Sequence, residues 1–163
     1  MRLLLAALFF SFFLSACGDD AAVKLNTGDA APAFSAPALD GRQHDFPAGF
    51  AGQPLVIRFW ADWCKYCAGE MQAIEEVYRR HPGQLKVVAI NAGQDKATVE
   101  AFIRKIGVSY PALLDESSAI ARRYGVVGLP TTYFVDGWGI VRAKIVGEAD
   151  AATFERQALE LLR

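Results

Sequence analysis

Hydrophobic and polar positions follow two periods along this chain, and the switches between them divide it into elements. Leu55-Val56-Ile57-Arg58-Phe59-Trp60 is an apolar run rich in β-branched and aromatic residues, the pattern of a buried strand. Over residues 68–80 the apolar positions Met71, Ile74, Val77 and Tyr78 fall at helical spacing, and His81-Pro82-Gly83 stops the helix. Residues 85–91 predict a second buried strand. Residues 97–106 predict an amphipathic helix with Val99, Phe102, Ile103 and Ile106 on one side, closed by Gly107. A short extended piece over 110–115 and a short helix over 117–124 follow. Residues 131–135 and 140–146 predict two strands joined by Asp136-Gly137-Trp138-Gly139 as an antiparallel hairpin. A last helix over 150–162 can be capped by Asp150, with Phe154, Ala158, Leu159 and Leu162 as its apolar face. Ahead of all these, residues 31–46 alternate loosely around Asp40-Gly41, a turn dipeptide, which predicts a short hairpin with Phe34 and Phe46 toward the core. The order is βαβ followed by ββα: an α/β chain with a mixed central sheet flanked by helices and an N-terminal β-hairpin extension.

The first residues follow a different pattern. Residues 3–14 are apolar apart from Ser11, and Arg2 is the only charge before Cys17. The run is short for a bilayer span and has the form of a signal-peptide core. Leu14-Ser15-Ala16-Cys17 resembles a bacterial lipobox, in which the signal is cleaved before the cysteine and the cysteine is lipidated. That resemblance implies a lipoprotein signal peptide over 1–16, a lipid on Cys17 and a polar tether over 17–29. An ordinary signal peptide or an uncleaved anchor are the alternatives. The remaining 30–163 suffices for one domain. Basic and acidic residues nearly balance, 17 against 18, with no basic patch, which argues against nucleic acid as a partner.

With Cys17 set aside, the other two cysteines both lie in Cys64-Lys65-Tyr66-Cys67. A lone CxxC in an exported chain points to redox chemistry more than to a structural staple. The motif falls at a strand-to-helix junction. Free backbone N–H groups and the positive end of the helix dipole favour an anion there, so the Cys64 thiolate is expected to be stabilised, and Lys65 works in the same direction. Cys67, one turn on, is expected to face inward, within reach of a mixed disulfide on Cys64. A zinc site would need two more ligands, which the sequence does not place nearby. Copper(I) held by the two thiolates is the metal alternative. His44 and His81 lie far from the motif and read as surface residues.

Phe59-Trp60-Ala61-Asp62-Trp63-Cys64-Lys65-Tyr66-Cys67, followed by Leu113-Leu114-Asp115 and by Val126-Val127-Gly128-Leu129-Pro130-Thr131-Thr132, resembles the thioredoxin superfamily. Within it, the chain is most similar to the TlpA/ResA-like membrane-anchored thiol–disulfide oxidoreductases. The resemblance implies a thioredoxin fold with no cofactor and a cis-proline at Pro130. The loop around that proline offers backbone pairing to a substrate polypeptide. Leu129, Pro130 and Thr131, with Trp63 and Tyr66 beside the cysteines, are therefore expected to bind substrate; Trp60 belongs to the core. A peroxiredoxin of the same superfamily would carry Thr-x-x-Cys, and Ala61 stands where that threonine would be.

Glu70 matches a glutamate found in many of these relatives. One turn from Cys67, it can shift thiol ionisation or relay a proton; the alternative is a solvated first-turn acid that favours the helix dipole. Three positions depart from the family pattern. Arg58 stands where thioredoxin has a buried acid, Lys65-Tyr66 replaces the common x-Pro, and Gln72 replaces a helix-kinking proline, with Gly69 able to loosen the same turn. Arg58 and Lys65 are thus expected to tune the redox couple. Strand alternation sets Arg58 on the side of Trp60, under the helix, and a buried guanidinium needs a partner, so an Arg58–Glu70 ion pair is expected.

The resemblance implies a monomeric enzyme that reduces disulfides of exported proteins, cytochrome c apoproteins among them. It would face the periplasm from a lipid on Cys17 and be fed by a membrane electron donor of the DsbD/CcdA type. An oxidase that donates its disulfide is the runner-up, because Lys65 beside a stabilised thiolate makes a stronger oxidant.

Overall fold

The computed structural model describes residues 24–163; the expected signal peptide, Cys17 and most of the expected tether lie outside them. Strand β1 (Phe34–Pro37) and strand β2 (Gln43–Phe46) form the antiparallel hairpin, with Phe34 opposite Phe46 and their rings 5.5 Å apart. Gly41 sits in the turn at positive φ, as the Asp-Gly dipeptide requires. A 3-10 turn (Ala48–Phe50) leads into β3 (Leu55–Trp60), which is followed by α1 (Cys67–Arg80), β4 (Lys86–Ala92), α2 (Lys96–Ile106) and β5 (Ala112–Asp115). Then come α3 (Ala119–Arg123), β6 (Thr131–Val135), β7 (Val141–Val146) and α4 (Ala151–Glu160).

Five strands form one sheet in the order β5-β4-β3-β6-β7. β4 is parallel to β3 and to β5, while β6 runs antiparallel to both β3 and β7. This is the mixed sheet of a thioredoxin-like fold, with β3 at its centre. Every residue of β3 is buried because both faces are covered. Leu55, Ile57 and Phe59 point to one core with Phe34, Phe46, Ile120, Tyr124 and Tyr133. Val56 and Trp60 point to the other, with Cys67, Met71, Ile74 and Val77 of α1, Val99 of α2, and Phe154 and Ala158 of α4.

The helix ends follow the sequence signals. Asp95 caps α2 by accepting from the Thr98 N–H at 2.9 Å, and Gly107 closes it in the left-handed conformation. Asp150 caps α4 through the Thr153 N–H at 2.7 Å. α4 ends before Leu162, and its apolar face rests on Phe154 and Ala158, with Leu159 and Leu162 only half-buried. Among the described residues no helix is long and apolar enough to cross a membrane.

Candidate active site

The centre of the site is a loop that leaves β3 at Trp60 and enters α1 at Cys67. Two backbone hydrogen bonds shape it: Cys64 N–H to the Ala61 carbonyl at 3.2 Å and Cys67 N–H to the Cys64 carbonyl at 3.1 Å. Cys64 and Cys67 are joined as a disulfide, with their Cα atoms 5.4 Å apart. Cys64 keeps 6% of its surface open while Cys67 is wholly enclosed. No side chain caps the first turn of α1 at Tyr66, so the positive end of the helix is directed at the disulfide loop. Trp63 is 68% exposed beside the pair, and Trp60 is buried with its ring stacked 4.7 Å from Phe102. The Lys65 ammonium lies 5.1 Å from the centre of the exposed Tyr66 ring.

The sheet register brings the proline loop to the same end of the molecule. Phe59 pairs with Thr131, so Pro130 lies level with Trp60, where the CxxC loop begins. The Leu129–Pro130 bond is cis, as expected; Phe46–Pro47 is cis as well, which the sequence reading did not anticipate. The Thr131 hydroxyl donates to the Gly128 carbonyl at 2.7 Å, and the Pro130 carbonyl accepts from Gly147 N–H at 2.8 Å. Thr131 therefore spends its side chain, and Pro130 its carbonyl, on holding the loop closed. Leu129 packs against the core cluster that holds both cysteines.

Beneath α1 the expected ion pair is present. Arg58 is buried; its Nη1 donates to Thr132 Oγ1 at 2.8 Å, and its Nη2 pairs with Glu70 Oε2. The other Glu70 oxygen accepts from the Ala149 N–H just before α4. Burial pulls the Arg58 guanidinium below its ordinary value while the Glu70 carboxylate works against that fall, and the group stays charged. Gln72, in place of a proline, donates to the Ile106 carbonyl at the end of α2.

Several contributors were not anticipated. Gln94 accepts from the Asp62 N–H at 2.8 Å, donates to Asp62 Oδ1 at 2.6 Å and accepts from buried Asn91 at 2.9 Å, which pins the loop before Cys64 to the end of β4. The only linear signal was a polar Asn91 ending an apolar strand. Val127, 83% exposed, precedes Pro130 by three residues, and the exposed Val146 pairs with Thr131 just after it. His44 and His81 stand away from the site, half-buried, with His44 stacked on Phe50. Among the described residues no three His, Cys, Asp or Glu side chains gather in a way that could hold a metal ion.

The sequence matches the AhpC/TSA family over residues 27–144. It is 34% identical over 148 residues to the thiol-disulfide oxidoreductase ResA of Geobacillus thermodenitrificans, covering 90% of this chain and 83% of that one. It is 32% identical over 138 residues to the thioredoxin-like protein YneN of Bacillus subtilis, covering 83% and 80%. A crystal structure from Chlorobium tepidum, assigned as a thiol:disulfide interchange protein DsbE, superposes with a TM-score of 0.81 at 26% identity, over 86% of this chain and all of that one. The chain therefore belongs to the AhpC/TSA family as a thioredoxin-like thiol–disulfide oxidoreductase of the ResA/DsbE type.

Proposed function

We propose that this enzyme reduces disulfides in exported proteins, working at the outer face of a membrane from a lipid on Cys17. The observation that carries the reading is the asymmetry of the pair: Cys64 is open at the rim and Cys67 enclosed behind it. Cys64 as thiolate attacks a substrate disulfide, forming a mixed disulfide and releasing one substrate thiolate. Cys67 then attacks Cys64 Sγ, the bond to the substrate breaks, and the second substrate thiolate leaves as the Cys64–Cys67 bond closes. Two electrons pass to the substrate, and the cycle is reset by a membrane dithiol donor of the DsbD/CcdA type. The backbone of Leu129, Pro130 and Thr131, with Trp63, Tyr66 and Val127 around it, suits an extended segment with apolar residues near its cysteines. Unfolded cytochrome c apoprotein, with its CxxCH pair, is a substrate of that kind.

The test is the reduction potential of Cys64/Cys67, read by equilibration with thiol–disulfide buffers. A value near that of thioredoxin, about −270 mV, supports a reductase. A value near that of DsbA, about −120 mV, turns the direction to oxidation, and an absence of reversible titration removes the redox reading. Mass spectrometry of the membrane-extracted protein checks for the lipid on Cys17.

A further inference from the structure

We propose that Arg58 is a positioning residue that commits the Glu70 carboxylate to a clamp tying α1 to β6 and to the head of α4, so that Cys67 yields its proton to solvent and not to Glu70. The inference rests on the dithiol cycle proposed above and specifies its second step. Glu70 lies one turn beyond Cys67, where a carboxylate would be well placed to take the proton of a resolving thiol. Both of its oxygens, however, are engaged by donors from other elements: one by Arg58 of β3, the other by the Ala149 N–H. Arg58 in turn holds Thr132, two residues past Pro130. The clamp therefore joins the helix that carries Cys67 to the strand that carries the proline loop.

A proton taken by Glu70 would cancel the charge that Arg58 faces. The guanidinium would then be unpaired beside Ile74, Ile145 and Phe154, where burial already opposes it. The cavity lined by Arg58, Glu70 and Asp150 measures about 10 Å³, room for one water at most. The other ionisable groups around the cluster do not replace Glu70. Asp150 at the head of α4 lines the cavity but is held as an anion by the Thr153 N–H and hydroxyl. Tyr110 is kept protonated by burial and donates to the Met71 carbonyl at 2.9 Å. In the resolving step the Cys67 thiol first loses its proton to water at the Cys64 mouth. The resulting thiolate forms the bond to Cys64 Sγ, and the departing substrate sulfur carries away the electron pair and is protonated by solvent.

The experiment loads Cys64 of the full-length, membrane-extracted protein with thionitrobenzoate. Stopped flow then follows its release by Cys67 from mildly acidic to mildly alkaline pH. In Glu70→Gln the single thiol ionisation persists with a limiting rate within a factor of a few of wild type. Its midpoint moves to lower pH, because the uncompensated Arg58 charge favours the Cys67 thiolate. Arg58→Lys keeps the wild-type profile, and Arg58→Met, which frees the Glu70 carboxylate from the clamp, changes its shape. A Glu70→Gln limiting rate lowered about tenfold or more, with a flattened pH profile, would identify Glu70 as the proton acceptor and overturn the proposal. Release that fails in wild type would overturn the dithiol cycle beneath it.

Discussion

The two faces of the central sheet are built by alternate residues of the same strand, yet they bury different chemistry. On the hairpin side, Ile57 and Phe59 meet Phe34, Phe46, Tyr124 and Tyr133, and the phenol groups find backbone partners within reach: Tyr124 donates to the Pro32 carbonyl at 2.7 Å and Tyr133 to the Tyr124 carbonyl. That face is packing, with both of these phenols hydrogen-bonded to backbone carbonyls. On the α1 side the same strand contributes Arg58 between Val56 and Trp60, and α1 answers with Glu70 and, further along, a buried Glu75. Charge is tolerated there because each charged group has a partner of opposite sign or backbone donors. The face that carries the cysteines is also the face whose electrostatics can be changed by one substitution.

Paired truncations on the two faces should break this contrast most strongly. Phe59→Ala is expected to cost about 3–5 kcal/mol in denaturant unfolding while the reduction potential stays put. Arg58→Met is expected to cost a similar 3–5 kcal/mol or so, by leaving Glu70 without its cation, and to move the potential as well. The double replacement of Arg58 and Glu70 by Met should recover most of that stability but not the wild-type redox behaviour. Failure of the double variant to recover would mean that the clamp's contacts with Thr132 and Ala149, more than its charge balance, hold the face together.

A smaller effect is expected from acid. Burial pushes Glu75 up, but the Ser109 N–H and hydroxyl, with Arg79, outweigh it and hold the carboxyl below its ordinary 4.5. Its contribution to stability is therefore fully present above about pH 4.5 and is lost as the pH falls through the lower folded-state value. Unfolding midpoints followed from neutral pH into acid should decline over that window, and Glu75→Gln should be less stable at neutral pH with a shallower decline. An unchanged slope would remove Glu75 from the charged side of the comparison.

The smallest effect is expected at the rim. Val127→Ser should raise KM for an apolar, disulfide-bearing peptide about threefold, with kcat and stability nearly unchanged, since Val127 is largely exposed in the free enzyme. An equal loss for polar peptides would count against an apolar contact there.

What could be read along the chain was whatever lies within one pleat or one helical turn. Strand alternation placed Arg58 with Trp60, helical spacing placed Glu70 over them, and the cost of an unpaired buried guanidinium joined the two, as the structure shows. The CxxC junction, the Asp-Gly hairpin turn and the caps at Asp150 and Gly107 were legible for the same local reason. What the chain did not disclose were partners far apart in sequence. The Ala149 N–H on Glu70 is separated from it by 79 residues, Gln94 from Asp62 by 32, and Ser109 from Glu75 by 34. Those meetings depend on β6 crossing back beside β3 and on where α2 and α4 lie across the sheet. Local periodicity carries the face a residue points to. Only the order of strands in the sheet decides which distant donor, or which exposed valine, arrives at the same place.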